Sequence, residues 1–590
     1  MSILGLLFTI STLFTPISTS VILWPKSEGN LLAQFKKGAV TAETGFCGDA
    51  GRDILLKGGN AVDAAVAAML CMGIYNFESS GLGGGHFMTI YSKKKGKCIV
   101  IDSREEAPHL INKDAVKKHP NQSLIGWKSI GVPGELFGLY TAHKRFGSGK
   151  VKWKDLFEPT IYLQKIGVPI NAKQAGFLKE LDKKYKISQE PTLKIFLNPK
   201  TGQLLKEGDI LKRPKLVKTF ERLANAPDPL KLFYKGKMAQ EIAAEFVENG
   251  ALIRLRDLKS YKSKVRYSVV KTNLPNGLTI CGPPPPSSAV ITQSIIGVMA
   301  EIAAREQNRS LDKNSPLTYH RIIETFKFYY AKRDLLGDID FVPHMAKLTK
   351  LIGSPQFART VRLMIPDHVK NISYYNISLD GSKLGGGGGM SVPEDGGTSE
   401  VAVIDSEGNA VSATSTINRE LGSLRRSLST GILWNDQMDD FSIEGAVNSY
   451  GFPPYRANYV APGKRPLSSM SPLLLIDRKT GQVRMAVGGM GGSKIISSVA
   501  YVTSRVLFMG ENIKEAIDAP RLHNQYIPFT TGYEPNFTQN LLKELIKLGH
   551  NFTLIDEFPN RVSGMVRTVN GTLEASTDSR RTNNNHPGGY

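Results

Sequence analysis

The spacing of hydrophobic and polar positions changes several times along the 590-residue chain. Residues 51–72 and 311–338 carry apolar positions at helical spacing, and both segments are predicted to be helical. A glycine-rich turn at 81–85 follows the first of them. Residues 371–397 consist largely of Ser, Gly and Asp and include five consecutive glycines at 385–389, a composition that predicts a linker.

A β-hairpin is predicted directly after this linker. The runs 401–405 and 410–417 favour β-strands, and a short turn that ends in glycine separates them. Such a loop suits a type I turn followed by a G1 bulge, which pairs Thr398 with Thr416 across the hairpin. Because side chains alternate along a strand, Thr398, Thr416 and Asn418 are expected to share one face.

The N-terminus is apolar and carries no charge before Lys26. Residues 1–20 are predicted to be an export signal that is cleaved after Ser20. Two alternatives remain open, an uncleaved anchor that would make the chain a type II membrane protein, and a buried N-terminal segment. Elsewhere the sequence has no stretch long and apolar enough to span a bilayer.

Export is supported by Asn-x-Ser/Thr sequons, which are candidate glycosylation sites. They lie at Asn121, Asn308, Asn371, Asn376, Asn536, Asn551 and Asn570. The four cysteines form no Cys-x-x-Cys pair, which argues against a zinc or thioredoxin-like site. In an oxidising compartment at least one disulfide is expected.

Composition excludes several other classes of protein. Hydrophobic residues at 41% and charged residues at 22% are typical of a soluble globular protein, and the length predicts two domains or two interlocked halves. The net charge of +22 is spread along the chain without interleaved aromatic residues, so a nucleic-acid partner is not expected and adhesion to anionic cell surfaces is the better interpretation. The 81–85 turn lacks both the phosphate-loop and the dinucleotide pattern, which argues against nucleotide binding.

Ten short motifs occur in one fixed order along the chain. They are GGNAVDAA (58–65), GLGGG (81–85), SRE (103–105), VPGE (132–135), PPPSS (284–288), DGGT (395–398), AVSATSTIN (410–418), NDQMDDF (435–441), PLSSM (466–470) and GGMGG (488–492). In these motifs and their order the chain resembles the gamma-glutamyltransferases, which are N-terminal nucleophile hydrolases. The resemblance covers nearly the whole chain after the expected signal.

The resemblance implies a fold and a maturation step. The expected fold is a mixed α/β (α+β) four-layer αββα sandwich, with two β-sheets between layers of helices. A single precursor would cut itself between Gly397 and Thr398 into a large subunit, 21–397, and a small catalytic subunit, 398–590. Neither a metal nor an organic cofactor is implied.

The expected nucleophile is the hydroxyl of Thr398. A threonine hydroxyl is a weak nucleophile, but cleavage before it frees its own α-amine, which can then act as the general base. Gly397 is expected because glycine tolerates a strained backbone at the cleavage site. Thr416 is included among the catalytic residues, and the resemblance assigns the oxyanion hole to the N–H groups of Gly491 and Gly492.

The resemblance also assigns residues that recognise the glutamyl head of the substrate. The α-carboxylate would be gripped by the Arg104 guanidinium, whose fork suits a carboxylate. The hydroxyls of Ser468 and Ser469 would assist. The α-amine would be held by Asp440 together with Asn418 and Gln437.

One position near the expected nucleophile departs from the family's pattern. Glu400 stands where the family commonly has histidine, on the same predicted face as Thr398, and as a carboxylate it would raise the pKa of the Thr398 amine. The resemblance pairs Cys47 with Cys71 in a disulfide. It gives no partner for Cys98 or Cys281.

The sequence therefore predicts a secreted gamma-glutamyl transpeptidase and hydrolase that is a heterodimer of its own two subunits. Glutathione or a related amide would donate the gamma-glutamyl group, and an amino acid, a dipeptide or water would accept it. Two rival hypotheses remain. One is an acylase of the same fold with another substrate, and the other is a catalytically weakened secreted homologue that acts as a binding protein or toxin.

Overall fold

The computed structural model describes residues 32–306, 310–375, 397–445, 454–555, 560–580 and 585–590. The expected signal, the sequons at Asn308 and Asn376 and the glycine run 385–389 lie outside the described residues. Across the described ranges, no helix combines the length and the apolar character needed to cross a membrane.

The strands of the described residues are short, and most have seven or fewer residues. They are β1 (Ala33–Phe35), β2 (Ala39–Ala42), β3 (Gly85–Ser92), β4 (Lys97–Ser103), β5 (Val168–Pro169), β6 (Ile210–Leu211), β7 (Lys264–Arg266), β8 (Val270–Asn273), β9 (Leu278–Gly282), β10 (Gly397–Ile404), β11 (Ala410–Asn418), β12 (Leu473–Asp477), β13 (Val483–Met490), β14 (Leu522–His523), β15 (Thr531–Tyr533), β16 (Phe552–Leu554), β17 (Arg561–Arg567), β18 (Leu573–Ser576) and β19 (Gly588–Gly589).

The helices lie mainly between and after these strands. They are α1 (Gly45–Leu56), α2 (Ala61–Tyr75), α3 (Lys113–Lys118), α4 (Glu135–Phe146), α5 (Glu158–Ile166), α6 (Ala172–Tyr185), α7 (Pro214–Ala224), α8 (Lys237–Glu248), α9 (Leu255–Ser260), α10 (Ala289–Ala303), α11 (Pro316–Arg333), α12 (Met345–Ile352), α13 (Pro355–Met364), α14 (Ile372–Tyr375), α15 (Lys494–Phe508), α16 (Ile513–Asp518) and α17 (Gln539–Lys547).

Two seven-stranded antiparallel sheets form the centre of the molecule. The first sheet has the order β19-β2-β10-β11-β3-β4-β7, and the second has the order β1-β18-β17-β13-β12-β9-β8. Strands from before and after residue 397 are mixed within both sheets, so the two parts of the chain are interlocked. Smaller sheets, β14-β15-β16 and β5-β6, lie outside this core.

Alternation of side chains along the strands builds four layers. In β10, Val401 and Val403 pack with α1 and α2 in one core cluster, whereas Ala402 and Ile404 belong to the cluster between the sheets. In the second sheet, Leu473 and Leu475 of β12 pack with α10, α11 and α15, and their neighbours face the first sheet. The expected αββα sandwich is therefore confirmed.

The predicted helix at 51–72 is interrupted, which the helical spacing did not indicate. Leu56 ends α1 and Ala61 begins α2, with Gly58 between them at a positive φ of 90°. The Asn60 side chain accepts from the N–H groups of Val62 and Asp63, and this capping box starts the new helix. Farther along, α11 lies within the predicted helical segment 311–338.

The predicted hairpin register is confirmed. Thr398 pairs with Thr416, and the Asp405 N–H donates to the carbonyl of Asn409 across the turn. Gly408 has the positive φ, 82°, that the bulged turn requires. Thr398 and Glu400 therefore lie on the same face of β10, the face that is turned towards the second sheet.

Both disulfides of the structure tie separate elements together. Cys47–Cys71 joins α1 to α2, the pair that the resemblance implied. Cys98–Cys281, for which the resemblance implied no pairing, joins β4 of the first sheet to β9 of the second sheet. The sequons at Asn371, Asn536, Asn551 and Asn570 are exposed, and their glycosylation stays a prediction.

We expect the disulfide between the sheets to stabilise the fold more than the disulfide between the helices. It closes a sequence separation of 183 residues against 24, and the chain-entropy account gives the longer loop an advantage of about 2 kcal/mol. The double variant Cys98→Ala/Cys281→Ala should therefore have a lower Tm than Cys47→Ala/Cys71→Ala when both are heated under one condition. The reverse order would show that native-state packing, and not loop closure, decides the difference.

Candidate active site

The predicted site residues meet at one pocket, which lies at the ends of strands from both sheets. Gly397 and Gly491 adjoin the lining residues Thr398 and Gly492, and the other predicted residues line the pocket themselves. The lining consists of Arg104, Arg333, Thr398, Thr416, Asn418, Gln437, Asp440, Leu467, Ser468, Ser469, Met470, Gly492 and Ile495. Residues that lie more than 350 positions apart in the sequence are thereby brought to one place.

The Gly397–Thr398 peptide lies at the start of β10, where the register with β11 shifts. The Thr416 hydroxyl donates to the Gly397 carbonyl oxygen over 2.6 Å. The same hydroxyl oxygen accepts the Asn418 N–H over 2.8 Å, which fixes its orientation. A hydrogen-bond donor is therefore aimed at the carbonyl of the peptide bond that precedes Thr398.

Gly397 is required here for lack of space. A Cβ built on Gly397 would lie 2.8 Å from the carbonyl oxygen of Glu78 and 2.9 Å from the Cα of Ser79. Backbone atoms cannot turn aside as a side chain can, so any larger residue would displace the peptide.

Arg104 follows directly after β4 and is completely buried. Its Nη2 pairs closely with Asp440, and its Nη1 donates to Glu105 Oε2 over 3.3 Å. Burial raises the pKa of Glu105 to about 8, against the lowering effect of Arg104, so Glu105 is largely protonated at neutral pH. The pair of Arg104 and Asp440 thus places one positive and one negative group side by side in the pocket.

The carboxamides of Gln437 and Asn418 lie on the Asp440 side. Gln437 Nε2 donates to Asp440 Oδ2 over 2.8 Å, and Asn418 Nδ2 donates to the Asp436 carbonyl over 3.2 Å. Gln437 Oε1 is buried and has no hydrogen-bond partner among the described residues. This side of the pocket therefore offers an acceptor oxygen beside a carboxylate.

Ser468 and Ser469 lie in the loop that leads into β12. The Ser468 hydroxyl oxygen accepts the Met470 N–H over 3.2 Å. The Ser469 hydroxyl oxygen accepts from Nη2 of Arg333 over 3.3 Å. The chain that carries these serines is anchored by the Ser468 N–H, which donates to the carbonyl of Pro286 over 2.7 Å.

Gly491 and Gly492 form the turn between β13 and α15. Both have positive φ angles, 103° and 58°, a conformation that favours glycine. A Cβ on Gly491 would also lie 2.6 Å from the Cα of Asn560. The turn therefore brings its backbone close to Thr398 at a position where side chains would not fit.

The Glu400 carboxyl lies between the two sheets. Its Oε1 is 2.9 Å from the Ser412 hydroxyl and its Oε2 is 2.5 Å from the Thr414 hydroxyl, and the group occupies the space above Gly488. Burial raises its pKa well above the usual value, against the lowering effect of the two hydroxyls. Burial thus favours the protonated, uncharged form of this carboxyl, whereas Glu400 was expected to act as a carboxylate.

A proton on Glu400 also fits the hydrogen bonds around it. The Ser412 hydroxyl has one proton and lies within reach of both Glu400 Oε1 and the Val487 carbonyl, 3.1 Å away. The carbonyl can only accept. A protonated carboxyl that donates to Ser412 leaves the Ser412 proton for Val487, so every contact is satisfied.

The sequence motifs did not single out two arginines that shape the site. Arg465 is buried and joins Asp102, over 2.6 Å, to Glu106, over 2.8 Å, which ties the segment of Arg104 to the segment of the serines. Arg333 ends α11 and reaches the pocket from there. Arg465 could have been found from the sequence, because it directly precedes the PLSSM motif. Arg333 could not, because it lies at the end of a helix that contains no motif.

Comparisons with known proteins agree with this arrangement. A family model described as Gamma-glutamyltranspeptidase matches residues 47–588. The chain is 39% identical over 558 residues to Scoloptoxin SSD14 of Scolopendra dehaani, covering 94% of this chain and 93% of that protein. It is 36% identical over 502 residues to Glutathione hydrolase 2 of Arabidopsis thaliana, covering 84% and 82%.

Among solved structures, a cephalosporin acylase from Bacillus halodurans has the same fold. Its TM-score is 0.78 at 22% identity, and the alignment covers 98% of this chain and 99% of that one. The match of the family model extends over almost all of the described residues and includes every residue of the pocket. The chain therefore belongs to the gamma-glutamyltranspeptidase family.

Proposed function

We propose that the chain is a gamma-glutamyl transpeptidase and hydrolase that cuts itself between Gly397 and Thr398, into subunits of residues 21–397 and 398–590. The observation that carries the proposal is the 2.6 Å hydrogen bond from Thr416 to the Gly397 carbonyl, at the floor of a pocket that also contains Arg104 and Asp440. This contact supports cleavage directly before Thr398, which would free the α-amine of Thr398 and allow the same residue to act as the nucleophile in turnover.

In the self-cleavage step, the Thr398 hydroxyl attacks the carbonyl carbon of Gly397. The C–N bond breaks, the nitrogen takes the hydroxyl proton, and an ester links the two segments until water hydrolyses it. Negative charge develops on the Gly397 oxygen during the attack. The Thr416 hydroxyl already donates to that oxygen, so it stabilises the charge without having to move.

In the turnover step, the freed α-amine of Thr398 takes the proton of its own hydroxyl. An unperturbed α-amine has a pKa of about 8, so an appreciable fraction is unprotonated at neutral pH. The hydroxyl oxygen attacks the gamma-carbonyl carbon of the donor, and the Gly491 and Gly492 N–H groups stabilise the oxyanion. The amine part of the donor then leaves, and an amino acid, a dipeptide or water takes the gamma-glutamyl group from Thr398.

The glutamyl head would be held by two neighbouring groups of opposite charge, Arg104 and Asp440. Arg104 would bind the α-carboxylate together with the hydroxyls of Ser468 and Ser469. Asp440 and the unpartnered oxygen of Gln437 would accept from the α-ammonium, with Asn418 beside them. Glutathione and other gamma-glutamyl amides carry both groups.

We also propose that the protein acts outside the cell. Two disulfides, four exposed sequons and the similarity to a protein named as a toxin support export. That similarity also favours a second candidate function, a secreted homologue with weak or no catalysis that acts as a binding protein or toxin. Glu400 supports this alternative less than the sequence suggested, because burial raises the pKa of its carboxyl and so favours the uncharged form.

We predict that the mature protein consists of two chains. Intact-mass and N-terminal analysis should find one chain that ends at Gly397 and one that begins at Thr398. Thr398→Ala should remain a single, inactive chain, whereas Thr398→Ser, which keeps a hydroxyl, should still be cut. A single uncut chain with full activity would contradict the mechanism, and a cut protein that acts on no gamma-glutamyl donor would favour the binding or toxin function.

We predict that Arg104→Lys weakens donor binding. A lysine cannot reproduce the guanidinium fork, and the loss of a charged hydrogen bond of roughly 1.5–3 kcal/mol corresponds to a KM increase of about tenfold to a hundredfold. The measurement is KM for a gamma-glutamyl anilide. Arg505→Lys is a matched control, since Arg505 is equally buried and pairs with Glu511 away from the pocket, and it should change stability but not KM.

We predict that Glu400→Gln makes the protein less sensitive to alkaline pH. The wild-type carboxyl holds its proton in the folded state above its unfolded pKa of about 4.3, so its contribution to stability is lost as pH rises, by up to about 1.4 kcal/mol per pH unit. Glutamine has no such proton to lose. The variant's unfolding free energy relative to wild type should therefore increase between about pH 5 and pH 8.

The control for this experiment is Glu407→Gln in the exposed turn of the same hairpin, for which no such trend is expected. Since glutamine matches the uncharged form that burial favours for Glu400, Glu400→Gln should also keep self-cleavage and the pH profile of turnover. A constant stability difference across this pH range would mean that Glu400 is ionised in the folded protein.

A further inference from the structure

Arg333 lines the pocket although no sequence motif contains it. It is the last residue of α11, its side chain is buried, and its Nη2 donates to Ser469 Oγ over 3.3 Å. Its Nη1 donates to the Tyr455 hydroxyl over 2.8 Å. The guanidinium is therefore held on one side by a tyrosine and directed on the other at a serine of the pocket.

The direction of this hydrogen bond determines what Ser469 can do. A guanidinium can only donate, so the Ser469 oxygen accepts and its own proton is not used towards Arg333. Ser468 is held in the same sense, because its oxygen accepts the Met470 N–H. Each of the two serine oxygens therefore accepts a hydrogen bond from a protein N–H group. Both O–H groups can then donate to an anion in the pocket.

The charges of the pocket agree with an anionic ligand group at this side. Its lining contains two guanidinium groups, Arg104 and Arg333, and one carboxylate, Asp440. Arg104 pairs directly with Asp440. Arg333 brings a second guanidinium group next to Ser469.

We propose that Arg333 is a positioning residue that orients the Ser469 hydroxyl, and adds positive charge behind it, for binding of the substrate's α-carboxylate. This inference rests on the proposed function, because it names how the same site holds its donor. Arg333 acts through Ser469 and does not itself take part in the transfer of the gamma-glutamyl group.

The test is calorimetric binding of L-glutamate and of 4-aminobutanoate, which lacks the α-carboxylate, to the purified mature protein. Arg333→Met removes the donor and the charge but keeps the length of the side chain, and it should weaken glutamate binding about tenfold, the size expected for one charged hydrogen bond. Binding of 4-aminobutanoate should not change. Arg333→Lys, which keeps the charge, should recover part of the loss.

A double-mutant cycle separates positioning from a general loss of structure. If Arg333 acts through Ser469, then Arg333→Met should have much less effect in a Ser469→Ala background than in wild type. Tyr455→Phe removes the support of Arg333 without changing the charge, and it should weaken glutamate binding in the same direction by a smaller factor. This variant and Arg333→Lys carry the test if Arg333→Met does not fold.

The outcomes distinguish this inference from the proposed function. Unchanged glutamate affinity in Arg333→Met, equal losses for both ligands, or fully additive effects with Ser469→Ala would overturn the role of Arg333 while turnover of gamma-glutamyl donors remained. A wild-type protein that binds glutamate through Arg333 but turns over no donor would overturn the proposed function alone. Absence of glutamate binding to the wild type would overturn both.

Discussion

The pairing of β10 with β11 is the interaction on which the site depends. These two strands lie in the middle of the first sheet, and their register sets Thr416 opposite Thr398 and aims its hydroxyl at the Gly397 carbonyl. Because side chains alternate, a slip of one residue would turn Thr398 towards the helices. The helices on one face and the second sheet on the other prevent that slip, since each face of β10 fills a different core.

The remaining parts of the pocket come from loops, a short 3-10 helix and the ends of two helices, and buried charges hold two of these loops in place. Arg465 connects the residues around Arg104 to the loop of the two serines through Asp102 and Glu106. Loss of one member of such a network would leave a buried charge without its partner, which is strongly destabilising. The ion pairs of Arg465, which are not proposed to contact the substrate, therefore hold Arg104 and the two serines at a fixed distance from each other.

The sequence predicted the fold, the hairpin register and nearly every residue of the pocket, because the motifs are local and the turn chemistry of the hairpin determines its pairing. It could not predict what depends on packing between distant segments. The need for glycine at position 397 comes in part from the backbone at Glu78, which leaves no room for a side chain. The charge of Glu400 depends on its burial against Gly488 of the other sheet, and Arg333 reaches the pocket from a helix end that carries no motif.

The contact between Arg104 and Asp440 bears on which donors the proposed enzyme would accept. In the structure the two groups neutralise each other. A glutamyl head that carries both a carboxylate and an ammonium could separate them and give each a new partner. A ligand with only the carboxylate would bind Arg104 and so weaken the ion pair of Arg104 with Asp440. The Asp440 carboxylate would then be buried with less of its charge neutralised, which costs free energy. Selectivity for the complete amino-acid head would then follow from the ion pair that the head has to replace.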